Sequence, residues 1–79
     1  MKVSVIAADK TIVIDGAALT FDFPVWPPNL HAIQWNGKNG TKEYTTGPQV
    51  WFDNVSEVQP YIDAYNAEAE RIAAEGGGA

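Results

Sequence analysis

The stretch that decides the fold is residues 31–44, HAIQWNGKNGTKEY. Its first five residues have a strand pattern, and the Asn-Gly pairs at 36–37 and 39–40 are a strong local signal for a turn between two strands. Residues 41–46 supply the returning strand, which Gly-Pro at 47–48 then ends. The segment therefore predicts an antiparallel β-hairpin in the middle of the chain.

Three short segments upstream of this hairpin also have strand patterns. Residues 2–7 alternate in polarity, residues 11–14 are a β-branched run, and residues 19–23 alternate apolar and polar side chains. Asp15-Gly16 marks a turn, because glycine tolerates positive φ. Together these segments predict an antiparallel meander.

Proline interrupts the strand pattern at residues 23–28, FPVWPP. Because proline has no amide proton and a fixed φ, this segment is expected to be extended and to lie outside the sheet. Trp26 within it is interpreted either as a lid folded over the core or as an exposed anchor for a partner. Residues 49–52 are short, and their pattern fits either an edge strand or a packed loop.

The last third of the chain has helical periodicity. Apolar residues follow one another at intervals of 3, 4, 3, 4 and 3 in the series Val55, Val58, Ile62, Tyr65, Ala69 and Ile72. Ser56 and Gln59 fit a capping box at the start of the helix. The spacing predicts an amphipathic helix over about 55–74, ended by the glycines at 76–78.

The net charge of −5 is confined to this helical third. Residues 1–52 are neutral, whereas residues 53–79 contain one arginine and six carboxylates. We therefore expect one α+β domain: an antiparallel sheet of about four to five short strands in 1–52, a helix in 53–75 packed on the sheet or extending from it, and a mobile tail in 76–79. The acidic balance argues against nucleic-acid and membrane partners, because both are polyanionic.

The residues offer few groups for catalysis or metal binding. The chain of 79 residues has no cysteine and one histidine, so thiolate and multi-histidine sites are excluded. Asp22 and Asp53 are interpreted as solvent-facing carboxylates and His31 as a structural or surface side chain. We therefore expect no enzyme activity, no catalytic residue, no cofactor and no metal.

The aromatic and apolar side chains suggest protein binding instead. The candidate partner-binding residues are Trp26, Trp51, Tyr61, Tyr65, Ala69 and Ile72. Trp51 either packs in the core between sheet and helix or binds a partner. For the helix stripe two alternatives stay open: it packs on the chain's own sheet, or the later turns of the helix continue past the sheet. In the second case, Ala69 and Ile72 meet a partner protein or a second copy of the chain.

The sequence also resembles a known group of proteins. Residues 31–35, the Asn/Gly turn, Glu43-Tyr44, residues 61–70 and the opening residues 3–16 are similar to small proteins encoded near the tail-fibre genes of tailed bacteriophages. The resemblance extends over residues 1–75, and its motifs are structural.

The resemblance implies a role in the phage tail and no catalytic residue. The leading expectation is a non-enzymatic tail-fibre assembly chaperone that binds a tail-fibre or other tail protein in the host bacterial cytoplasm. The alternative is a permanent small structural component of the tail or baseplate in the virion.

Overall fold

The fold is described from a computed structural model, in which residues 1–25 and 28–76 are described. It is α+β: a six-stranded antiparallel sheet followed by one C-terminal helix. The strands are β1 (Val3–Ile6), β2 (Thr11–Ile14), β3 (Ala17–Thr20), β4 (Leu30–Trp35), β5 (Gly40–Tyr44) and β6 (Val50–Phe52). The helix α1 is Gln59–Gly76, preceded by a short 3-10 helix at Val55–Glu57.

The strand order is β3-β2-β1-β4-β5-β6. Two three-stranded meanders are thus joined by pairing between β1 and β4, and the register places the end of β3 and the start of β4 at the same end of the sheet. The sheet has six strands rather than four to five, because residues 50–52, which fitted either an edge strand or a packed loop, pair with β5 as an edge strand.

Two turns form where the sequence predicts them. Asp15 and Gly16 have φ of 49° and 86° between the paired residues Ile14 and Ala17, which is the two-residue type I′ hairpin. In the β4–β5 turn, the Asn36 side chain accepts hydrogen bonds from the amides of residues 38 and 39 at 2.9 and 2.8 Å. Both turns are local, so their residues alone specify them.

The third strand differs from its predicted bounds of 19–23. The Phe21 amide donates to the Lys10 carbonyl at 2.9 Å, and the chain then leaves the sheet. Lys10 holds the departing segment, since its ammonium donates to the Phe23 carbonyl at 2.7 Å. Phe23 turns inward and meets the Tyr61 ring edge-on at 5.9 Å. In residues 21–23, which follow β3, the alternation of apolar and polar side chains therefore reflects burial in the core rather than strand pairing.

The start of the helix also differs from the prediction. The Asn54 side chain caps the 3-10 turn by accepting from the Ser56 amide at 2.9 Å, so the predicted capping box of Ser56 and Gln59 is wrong. Because α1 begins at Gln59, Pro60 lies in its first turn, where no intrahelical amide bond is lost.

The core lies between one face of the sheet and the first turns of α1. Val5 and Ile12 are fully buried on that face, and Val58 is fully buried opposite them. The alternation of buried and half-buried residues in β1 shows that every second side chain points to the opposite face. We call that opposite side, which α1 does not cover, the open face.

Candidate functional site

The candidate partner-binding residues are distributed over different parts of the fold. Trp51 lies on the edge strand β6 and is 61% exposed. Its register partner on β5 is Thr41, whose side chain shares the open face. The alternative that Trp51 forms part of the core is therefore wrong. Trp26 lies outside the described residues, so both interpretations of it stay predictions.

The two tyrosines of α1 are engaged by the rest of the fold. Tyr61 is 6% exposed and belongs to the core, where its ring meets Phe23. Tyr65 is half-buried, and its hydroxyl donates to the Ala17 carbonyl of β3 at 3.0 Å. These contacts attach the first half of α1 to the sheet, and they leave little of the Tyr61 ring for a partner.

Burial along α1 fades toward its C-terminal end. Val58, just before the helix, and Ile62 are buried, Ala69 is half-buried, and residues 70–75 are exposed, with Ile72 at 43%. We call residues 66–75 distal α1. The helix of 18 residues is about 27 Å long at 1.5 Å per residue, which is longer than the strands on which it packs. The apolar stripe thus continues past its own sheet.

An ion-pair cluster occupies one side of distal α1. Arg71 pairs with Glu68 at 2.6 Å and with Glu75 at 2.5 Å. The hydrogen bond from Arg71 lowers the pKa of Glu68; burial acts in the opposite direction, and the charge of Arg71 lowers it further. The same two carboxylates raise the pKa of Arg71. The cluster occupies Arg71, so this side of the helix presents mainly carboxylate oxygens.

The groups considered for chemistry are exposed in the structure. Asp22 and Asp53 are exposed, and Asp22 is 3.5 Å from the Lys10 ammonium. His31 is an exposed residue of β4. Within 1–25 and 28–76, no three His, Asp or Glu side chains are grouped so that they could hold a metal ion. In the same ranges, no helix has the length and hydropathy required to cross a membrane.

Sequence reasoning missed a set of polar side chains on the open face. Ser4, Gln34 and Thr41 stand side by side on β1, β4 and β5, because the register pairs them across the sheet. They line a shallow cavity of about 370 Å³ together with Lys2 and Asn39. Because apolar and polar residues alternate along these strands, the sequence indicates that each of the three side chains points away from the core. Only the strand order shows that the three are neighbours.

Comparison with known proteins adds no relative. No protein family, no curated protein and no solved structure matches this chain.

Proposed function

We propose that the chain is a non-enzymatic bacteriophage tail protein that binds another tail protein and serves as a tail-fibre assembly chaperone. The observation that carries the proposal is the exposure of Ile72 on distal α1. Ala69 and Ala73 lie three residues before and one after it, so the three form one apolar strip on the same side of the helix. An apolar strip beyond the core is a surface that a partner buries.

The partner is inferred from the sequence resemblance and from charge. The similarity to proteins encoded near tail-fibre genes points to a fibre polypeptide, made in the host bacterial cytoplasm. The one arginine and six carboxylates of residues 53–79 favour a partner segment with basic side chains around an apolar strip. Shielding such a segment keeps a folding fibre soluble until it assembles.

Co-expression tests the assembly role. The neighbouring fibre gene is expressed with and without this protein, and soluble, protease-resistant fibre is measured. We expect a several-fold gain of soluble fibre when the protein is present. Equal yields of folded fibre in both cases would contradict the chaperone role.

Two matched substitutions test the surface. Ile72→Glu places a charge in the apolar strip, whereas Ala74→Glu places the same charge about 200° around the helix, on its other side. Both positions are exposed, so the two variants should fold equally. We expect only Ile72→Glu to lose co-purification with the fibre protein; equal binding by both variants would exclude distal α1 as the contact.

The same preparations separate the chaperone from a permanent tail component. Mass spectrometry of purified particles finds a stoichiometric amount of a component that stays in the virion. A chaperone that leaves after assembly is absent from the particles but present in the lysate.

A further inference from the structure

The open face carries a second feature that protein binding at distal α1 does not use. The register aligns Ser4, Gln34, Thr41 and Trp51 in one row across β1, β4, β5 and β6. Residues paired in this way are neighbours on the same face of a sheet. The shallow cavity of about 370 Å³ is lined by Ser4, Gln34 and Thr41 of this row. Trp51 lies beside the cavity rather than in its lining, as the register partner of Thr41.

One hydrogen bond within the row fixes the orientation of Gln34. The Ser4 hydroxyl donates to Gln34 Oε1 at 2.6 Å. The amide nitrogen of Gln34 therefore faces away from Ser4, and within 1–25 and 28–76 no group accepts its two protons. A held amide with unused donors is the kind of polar group that orients a ligand in a binding site.

The turn beside the row supplies another amide. Asn36 is committed to the turn, because its oxygen accepts two backbone amides and its nitrogen donates to Asn39 Oδ1 at 2.9 Å. That bond fixes the orientation of the Asn39 side chain. Within the described residues, the side-chain nitrogen of Asn39 donates to no other group. Thr41 and Lys2 are further polar residues of the lining.

The cavity thus offers donors and acceptors together. The amides of Gln34 and Asn39 donate, while the hydroxyl oxygens of Ser4 and Thr41 also accept. A ligand hydroxyl both donates and accepts, so a polyhydroxylated ring matches this mixed set. An anionic ligand matches it less well, because Lys2 is the one cation of the lining and the chain carries a net charge of −5.

Trp51 supplies the apolar element of the site. Its indole is 61% exposed on the same face, next to Thr41. An exposed indole face packs well against the flat C–H face of a pyranose ring, whose hydroxyl edges then reach polar groups alongside. We propose that the open-face cavity and Trp51 form a binding site for a neutral saccharide.

Nuclear magnetic resonance titration of the full chain tests this proposal. The probes are cellobiose, lactose, mannobiose and N,N′-diacetylchitobiose, which differ in ring stereochemistry and in N-acetyl groups. We expect at least one of them to shift the Trp51 indole signal and the side-chain amide signals of Gln34 and Asn39, with a dissociation constant on the order of 1 mM, typical of a small contact. If none of the four shifts these signals, the proposal is overturned.

Variants locate the binding. Trp51→Ala and Gln34→Ala should each lower the affinity for the saccharide that binds by at least about fivefold. Trp51→Tyr should keep part of the affinity, because it retains an aromatic face. Val50→Ala is the matched control, since Val50 is exposed on the same strand but points to the other face. Unchanged affinity in Trp51→Ala would overturn the site, and the spectra themselves report that each variant is folded.

The titration is independent of fibre binding. Ile72→Glu should leave the saccharide response unchanged, so failure of the chaperone proposal does not affect this one. If Trp51→Ala instead abolishes co-purification of the fibre protein and no saccharide shifts the signals, the open face is a protein interface and the saccharide proposal is wrong.

Discussion

At the residue scale, Gly40 is the position where the absence of a side chain matters most. It is the first residue of β5 and pairs with Trp35 on one side and Phe52 on the other. The two rings stack over it with centroids 5.4 Å apart and planes at 11°. The sequence suggests a turn glycine here, but Gly40 has no positive φ, and its role is to leave room for the backbone of β4 and for the Phe52 ring.

Replacement of Gly40 should therefore destabilise the fold more than replacement of a true turn glycine. A Cβ at Gly40 would lie 2.2 Å from the Gln34 carbonyl oxygen and 2.9 Å from the Phe52 ring. We expect Gly40→Ala to lower the free energy of unfolding by about 3 kcal/mol.

Gly47→Ala is the matched comparison in the same urea-unfolding measurement. Gly47 has φ of 89°, but no atom lies within 4 Å of the place that a Cβ would take. The cost of this substitution is therefore conformational strain alone, about 1 kcal/mol. Equal costs for the two variants would contradict the steric role of Gly40.

At the element scale, α1 combines a packed half and an exposed half. Its first turns are attached through Ile62 and the Tyr65 hydroxyl, and Val58 is buried just before them. Distal α1 has no comparable packing among the described residues, so its local order depends more on side-chain pairs along the helix. The helical spacing of apolar residues does not distinguish the packed half from the exposed half, because it does not indicate where the sheet ends.

The Arg71 cluster gives distal α1 a pH dependence. The pKa of Glu68 is lowered by Arg71, so this ion pair stabilises the helix at neutral pH and is lost as the pH falls through the lowered pKa. A nuclear magnetic resonance titration that follows the side-chain carboxyl carbon of Glu68 should give a pKa below the ordinary value for glutamate. The Arg71→Gln substitution should raise the pKa of Glu68.

Amide exchange provides the second readout of this prediction. Amides of residues 72–75 should exchange faster, after correction for intrinsic rates, once Glu68 is protonated. Lys42→Gln is the control, because it breaks a different ion pair, the one with Glu57. A Glu68 midpoint that does not respond to Arg71→Gln would show that the pair is absent in solution.

At the scale of the whole molecule, the residues that form the core and the residues that we propose for partner binding lie in different regions. The core cluster extends from the sheet to Ile62, with Ala64 and Tyr65 packed against it. Residues 70–75 add charge and one large exposed apolar side chain, Ile72, and none of them belongs to the core cluster. The molecule is correspondingly elongated, 46 Å by 24 Å by 18 Å over the described residues.

Shortening the chain to end at Glu70 should therefore preserve the fold. We expect the free energy of unfolding in urea to change by less than about 1 kcal/mol, because no buried group is removed. Co-purification with the fibre protein should be lost, since Ile72 is absent. A shortened chain that fails to fold would show that distal α1 contributes to the core, and the full-length Ile72→Glu variant would then test the contact alone.

The sequence by itself determined the local features of this protein: the hairpin turns at 15–16 and 36–39, most strand positions, the helical periodicity and the confinement of the net charge to the last third. Each depends on the backbone preferences or spacing of residues close together in the chain. Only the tertiary structure decided the pairing of β1 with β4, the burial of Phe23, the exposure of Trp51 and the row on the open face. These features depend on contacts between residues far apart in sequence, and a strand pattern does not specify which strand lies beside it or what covers each face.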